Sequence, residues 1–169
     1  VLANYPNRDG RAANGVGLDT PASTVGILRA LKESGHALGE IPASGDELMR
    51  RLLQGPSNRD PSRPETESLS LADYRVFFSR LAPAFRQAVK ARWGEPESDP
   101  FFRPGEIDCG KFAVPALRFG NIAVAIQPAR GYNLDPVASY HDPALPVSHN
   151  YLAFYAWVRE AFAAHAVVH

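Results

Sequence analysis

The feature that most constrains this chain's fold is a change of apolar spacing past its midpoint. Leu71, Tyr74, Phe78, Leu81, Phe85, Val89 and Trp93 recur every three or four residues, the repeat of one helix face. Beyond residue 111 the repeat shortens to two: Ile122, Val124 and Ile126 alternate with Ala123 and Ala125. Gly120 and Asn121 separate the runs 112–118 and 121–127 and mark a hairpin. The second run is apolar on both faces, which predicts a central strand. Pro115 has no N–H to give a ladder, so its run is expected at an edge or a bulge. Helix stripes that must cover such a strand predict a layered α/β domain. The expected form is Rossmann-like, with a mostly parallel sheet, a hairpin and flanking helices.

The other elements follow from local signals. A short strand is expected over residues 1–5, then a loop over 6–20 rich in Gly, Asn and Asp. Thr20 can cap a helix that has Pro21 at its first position, Val25, Leu28 and Leu31 inward, and Gly35 as its stop. Ser44 or Asp46 can cap a second helix with Leu48, Met49, Leu52 and Leu53 inward. Residues 55–68 hold three prolines and no aliphatic side chain, so they read as a flexible, exposed connector within one domain of residues 1–169. Pro83 should split or kink the long helical run, and Gly94 ends it. A second long loop (128–149), an aromatic-rich helix (150–164) and a strand from Ala166 complete the chain. A start without Met inside one apolar run, and a stop inside another, are expected of a piece excised from a longer chain.

Composition narrows the function classes. Eighteen Lys and Arg balance eighteen Asp and Glu with no basic run, which argues against nucleic acid, whose phosphates Lys and Arg must neutralise. No apolar run approaches the roughly 20 residues of a membrane helix. Cys109, the single cysteine, excludes a disulfide framework and a Cys-rich zinc site. No signal-peptide pattern is present, and a cytoplasmic protein is expected.

The chemistry gathers in the two loops. A strand, a Gly-rich turn and a helix N-terminus can hold an anion. Gly15-Val16-Gly17 is half of a dinucleotide fingerprint, but Thr20 stands where the third glycine belongs. No Gly-Lys-Ser/Thr follows, which counts against a nucleotide-binding domain. Asp9, Asn14 and Asp19 can bond their own backbone in an ordered turn, or Asn14 and Asp19 can line a ligand wall. The second loop leaves the carboxyl end of the expected central strand, where open α/β sheets bind ligands. It carries Gln127, Arg130, Tyr132, Asp135, His141, Asp142 and His149. His141 and His149 lack a helical metal spacing. Neutral imidazole is still a ligand for Co²⁺, Ni²⁺ or Zn²⁺ and a proton acceptor near neutral pH, or simply a hydrogen-bonding residue. His36, His165 and Cys109 read as structural. His169 ends the expected last strand, where active-site loops begin.

Several stretches carry a family resemblance: Leu2-Ala-Asn-Tyr-Pro-Asn-Arg-Asp-Gly-Arg, Asn14-Gly-Val-Gly-Leu-Asp-Thr-Pro-Ala-Ser, Phe119-Gly-Asn-Ile-Ala-Val-Ala-Ile-Gln-Pro-Ala-Arg-Gly-Tyr-Asn-Leu-Asp-Pro, and Ser148-His-Asn-Tyr-Leu-Ala-Phe-Tyr. Together with Ala164-His-Ala-Val-Val-His they resemble the family of CobN-type cobaltochelatase and magnesium chelatase large subunits, from end to end and weakest over 55–68. The Asn-Tyr-Pro-Asn pattern of the first loop favours the cobalt branch. The resemblance implies a subunit that binds a tetrapyrrole, hydrogenobyrinic acid a,c-diamide, and inserts Co²⁺. It also implies two smaller AAA+ partners that hydrolyse ATP with Mg²⁺, in keeping with the missing phosphate loop. The family's His-rich Gly loop and Glu-Trp-Leu-Pro-Gly-Lys stretch follow the position of His169 and are absent here, so this piece alone is not expected to catalyse.

Under that resemblance, His149, His169 and His141 are candidates to accept pyrrole protons, with His149 and His169 passing on the metal. Arg130 would pair with a peripheral carboxylate. Gln127, Tyr132, Asp135, Asn14 and Asp19 would orient the macrocycle. The alternatives are a docking module for the AAA+ subunits and the magnesium branch of the family.

Overall fold

The computed structural model describes residues 1–3, 12–15, 17–105, 110–131 and 145–168. Asn14–Gly15 (β1) and Leu18–Asp19 (β2) form a small hairpin that leads into helix α1, Thr20–Glu33. Asp19, not Thr20, is the cap: its Oδ1 accepts from Ala22 N at 2.9 Å, with Pro21 in the first turn. Val25 and Leu28 are the buried stripe of α1. Helix α2, Gly45–Leu52, starts at Ser44, whose hydroxyl accepts from Glu47 N at 3.2 Å. Glu47 Oε2 returns to accept from Ala43 N at 2.7 Å, a reciprocal arrangement close to a capping box.

Strand β3, Glu67–Ser70, runs directly into α3, Leu71–Ser79, and α4, Pro83–Trp93, follows. Pro83 does split the helical run: the helix stops at Arg80, and the proline opens the next helix, where its missing N–H has no partner to lose. After a 3₁₀ turn at Pro96–Ser98 come β4 (Phe102–Arg103), β5 (Lys111–Val114), β6 (Ala116–Phe119) and β7 (Ile122–Ala125). Helix α5, His149–Ala156, widens into one π-helical turn at Trp157–Ala161.

The chain is mixed α/β, and among the described residues its ladders are antiparallel, so the expected mostly parallel, Rossmann-like sheet is not what these strands form. Strands β3, β5 and β4 pair antiparallel in the order β3-β5-β4, and β6 pairs antiparallel with β7. Among the described residues the parallel pairing is one bridge, Leu2 to Ile126. Residues 166–168 form no strand. Pro115 explains the division into sheets. It interrupts a run that pairs with β3 before it and with β7 after it, and its own carbonyl accepts from Ile126 N at 2.8 Å.

Two hydrophobic cores result, and β7 lies between them. Ile122, Val124 and Ile126 face a core with Leu2, Val25, Leu28, Leu48 and Phe119. Ala123 and Ala125 face another that contains Tyr74, Phe112, Phe154 and Trp157. The two apolar faces read from the sequence are therefore both used. The stretch 55–68, expected as an exposed connector, is partly packed. Pro56, Ser57 and Asn58 are buried, Asp60 closes a turn onto Ser57, and Glu67 already belongs to β3.

Candidate functional site

Residues 1–3 are where the two loops come together. Leu2 N donates to Ala125 O at 2.7 Å and Leu2 O accepts from Gln127 N at 2.8 Å, so this segment runs parallel to the end of β7. The opposite side of the segment meets two other stretches. Ala3 O accepts from Ala13 N at 2.6 Å, and Val1 N donates to Val168 O at 2.7 Å. The chain entering the first loop, the chain entering the second and the chain reaching residue 168 thus share one edge. Leu2 and Ile126 pair parallel, so these two segments present their carboxyl ends on the same side, the position where α/β folds bind ligands.

Asn58 holds the start of the second loop. Its Oδ1 accepts from Ala129 N at 3.0 Å and its Nδ2 donates to Gln127 O at 3.4 Å. Gln127 Nε2 donates to Tyr155 Oη at 3.4 Å. Burial and the neighbouring Tyr151 push the Tyr155 hydroxyl up to about 12. It is a neutral hydrogen-bonding group, not a base. Arg130 is exposed. In the first loop Asp19 is spent on capping α1, while Asn14 pairs with it across the β1–β2 hairpin. Tyr132, Asp135, His141 and His169 lie outside the described residues, as do Asp9, Cys109 and Asp142. His36 and His165 are exposed.

His149 differs from its expected setting. It is fully buried, with Nδ1 2.6 Å from Tyr74 Oη and Nε2 3.0 Å from Gly94 O. A carbonyl only accepts, so Nε2 carries the proton and Nδ1 accepts from the tyrosine hydroxyl. Tyr74 and Phe78 close on the ring, with centroids at 5.7 and 5.5 Å. Burial lowers the imidazole pKa from its ordinary value and, with the Asp99 charge nearby, raises that of Tyr74. In this arrangement His149 has no lone pair to offer a cation and no opening onto a cleft. It pins the first residue of α5 to α3 and to the end of α4.

Asp99 does the capping that Ser148 does not. Its Oδ2 accepts from Asn150 N at 2.8 Å in the first turn of α5, and its Oδ1 accepts from Phe101 N at 2.9 Å. Burial pushes its carboxyl up to about 6, against the pull of those two N–H groups. Sequence reasoning passed over Tyr74 and Asn58, whose partners lie far along the chain, and Asp99, which sits in a Pro-rich turn. An Asp shortly before an aromatic pair was the one local hint.

A concavity of about 710 Å³ lies between α3 and α4, edged by Arg75, Phe78, Arg86, Lys90 and Pro96. None of the loop residues singled out above lines it. Arg75 pairs with Glu97 there and Lys90 with Glu95. Among the described residues, no three His, Cys, Asp or Glu side chains gather in a way that could hold a metal ion, and no helix is long and apolar enough to cross a membrane.

Comparison with known proteins agrees with this chain's pattern. A family model described as CobN/Magnesium Chelatase matches residues 1–169. The chain is 54% identical over 170 residues to the aerobic cobaltochelatase subunit CobN of a Sinorhizobium species, and 55% identical over 172 residues to that of Pseudomonas aeruginosa. Each match covers 100% of this chain and 13% of the relative. A solved structure, the catalytic subunit of cobaltochelatase from Mycobacterium tuberculosis, superposes with a TM-score of 0.81 at 36% identity. That match covers 98% of this chain and 14% of the solved one. The chain therefore belongs to the CobN/magnesium chelatase family and spans about an eighth of the length of the CobN relatives it matches.

Proposed function

We propose that this chain supplies part of the tetrapyrrole-binding wall of a cobaltochelatase large subunit. The observation that supports the reading is the edge at residues 1–3, where Gln127, Ala13 and Val168 all bond to one short segment. On this reading, groups from both loops face one flat ligand. The likeness to the CobN subunits favours the cobalt branch over the magnesium branch.

Metallation replaces two pyrrole N–H protons with a divalent cation, so the site needs bases that titrate near neutral pH. His141 and His169 take that role here, with Co²⁺ as the substrate ion. His149 holds α5 in place instead. Arg130 pairs with a peripheral carboxylate through its planar fork. Gln127, Tyr132, Asp135 and Asn14 hydrogen-bond the macrocycle, and Asp19 fixes the helix behind them. ATP, with Mg²⁺, is hydrolysed on two AAA+ partner subunits, and the assembly works in the cytoplasm.

The test is an absorbance titration of the full-length subunit with hydrogenobyrinic acid a,c-diamide, with and without Co²⁺. Saturable spectral change on binding supports the reading. Its absence, with partner-subunit binding intact, would support a docking module instead.

A further inference from the structure

Trp93, the last residue of α4, touches both ends of the second loop. Its Nε1–H donates to Pro146 O at 2.8 Å. At the other end Gly131 lies on the indole so closely that a Cβ there would overlap Cζ2 and Cη2 of the ring. Gly131 also holds φ at +118°, a conformation other residues rarely adopt. The Arg92 guanidinium lies 4.7 Å from the centre of the same ring. The next residue, Gly94, accepts from His149 Nε2 at 3.0 Å. Two successive residues at the end of α4, Trp93 and its cap Gly94, therefore hold Gly131 at one end of the loop and Pro146 and His149 at the other.

We infer that Trp93 is a positioning residue for tetrapyrrole binding, one that ties Gly131 to Pro146 and so sets Arg130 and Gln127 in register against α5. This rests on the reading that the second loop binds the macrocycle, and it adds a residue that touches no substrate. The ring is a spacer and its N–H is a latch. Both are needed because the loop's ends leave different elements, β7 and α5, and have no direct ladder between them among the described residues. A ligand that bonds groups on one end is then presented with the other end at a fixed distance, which is how preorganisation strengthens binding.

The test uses the full-length subunit with its partner subunits and three variants. Trp93→Phe keeps a ring and loses the latch. Gly131→Ala drives a methyl into the indole, and Gly131→Ala with Trp93→Leu removes the overlap. Gly131→Ala should raise KM for the tetrapyrrole about tenfold, and Trp93→Phe about threefold, with saturating kcat little changed, as loss of ground-state positioning requires. The double variant should recover part of the loss of Gly131→Ala. Amide exchange should quicken in peptides covering 127–131 and 145–150 together in the single variants. Unchanged KM, exchange that rises at one end alone, or kcat falling together with protection of the whole of α4 would each overturn the inference. If the unsubstituted subunit fails to bind the tetrapyrrole, the reading of the site falls instead, and the exchange data still decide whether Trp93 joins the two ends.

Discussion

The Tyr74 hydroxyl donates to His149 Nδ1 at 2.6 Å, joining α3 to the first residue of α5 inside the core. Replacing Tyr74 by Phe keeps the ring packing and leaves a buried acceptor unpaired. That change should cost about 1–3 kcal/mol. His149→Ala removes two hydrogen bonds and leaves a void, so it should cost more. Hydrogen exchange over residues 145–157 of the full-length protein measures both. Equal protection in Tyr74→Phe and the unsubstituted protein would contradict the role given to this pair.

The same cluster sets a pH dependence with two opposing parts. Asp99 has its carboxyl raised from 3.8 to about 6 in the folded state. The folded chain therefore holds a proton that the unfolded chain has already lost, and stability falls as pH rises from about 4 to about 6. His149 has its pKa lowered from 6.5, so the unfolded chain takes up the proton first and stability falls as pH drops below about 6.5. Asp99→Asn should remove the first slope and expose the second, giving a protein whose α5 loosens monotonically as the solution is acidified. Exchange of α5 amides across pH 4 to 7, corrected for the intrinsic rate, reads this directly. An unchanged profile in Asp99→Asn would refute it.

Much of this architecture was legible in the sequence. The split at Pro83, the Gly120-Asn121 hairpin and the two apolar faces of β7 follow from local chemistry and period. What was not legible depends on distant partners. Prolines and polar residues made 55–68 look exposed, yet Asn58 is buried because it bonds Gln127 and Ala129, about seventy residues away. Alternating helices and strands suggested crossover connections. Nothing local showed that β5 would instead lie antiparallel to β3. His149 looked like a ligand because its spacing cannot reveal that Tyr74 and Gly94 occupy its ring.

The hairpin turn offers a sharp local test. Gly120 has φ at +61°, and a Cβ there would overlap the carbonyl oxygen of Ala37. Asn121 N donates to that same oxygen at 3.3 Å. Gly120→Ala should therefore detach the β6–β7 turn from the segment that follows α1, at a cost of about 2 kcal/mol or more. Thermal unfolding of the variant, with exchange at residues 116–125, would show it. Stability within experimental error of the parent would contradict the assigned contact.

Asn58→Ala removes the acceptor of Ala129 N and a donor to Gln127 O. A buried N–H left without a partner costs about 1–3 kcal/mol. Faster exchange at Ala129 and weaker tetrapyrrole binding are expected together. Faster exchange with unaltered binding would separate the loop's order from ligand affinity and count against the proposed site.

The most direct measurement of the central claim is the tetrapyrrole binding isotherm of the full-length subunit carrying Arg130→Glu. The exposed guanidinium is assigned to a peripheral carboxylate of the macrocycle, and an exposed side chain can be reversed in charge without unfolding its surroundings. The account predicts affinity lower by about tenfold or more, roughly 1.4 kcal/mol, with the weakening reduced at high salt. An isotherm that overlays the parent's at low and high salt would contradict it.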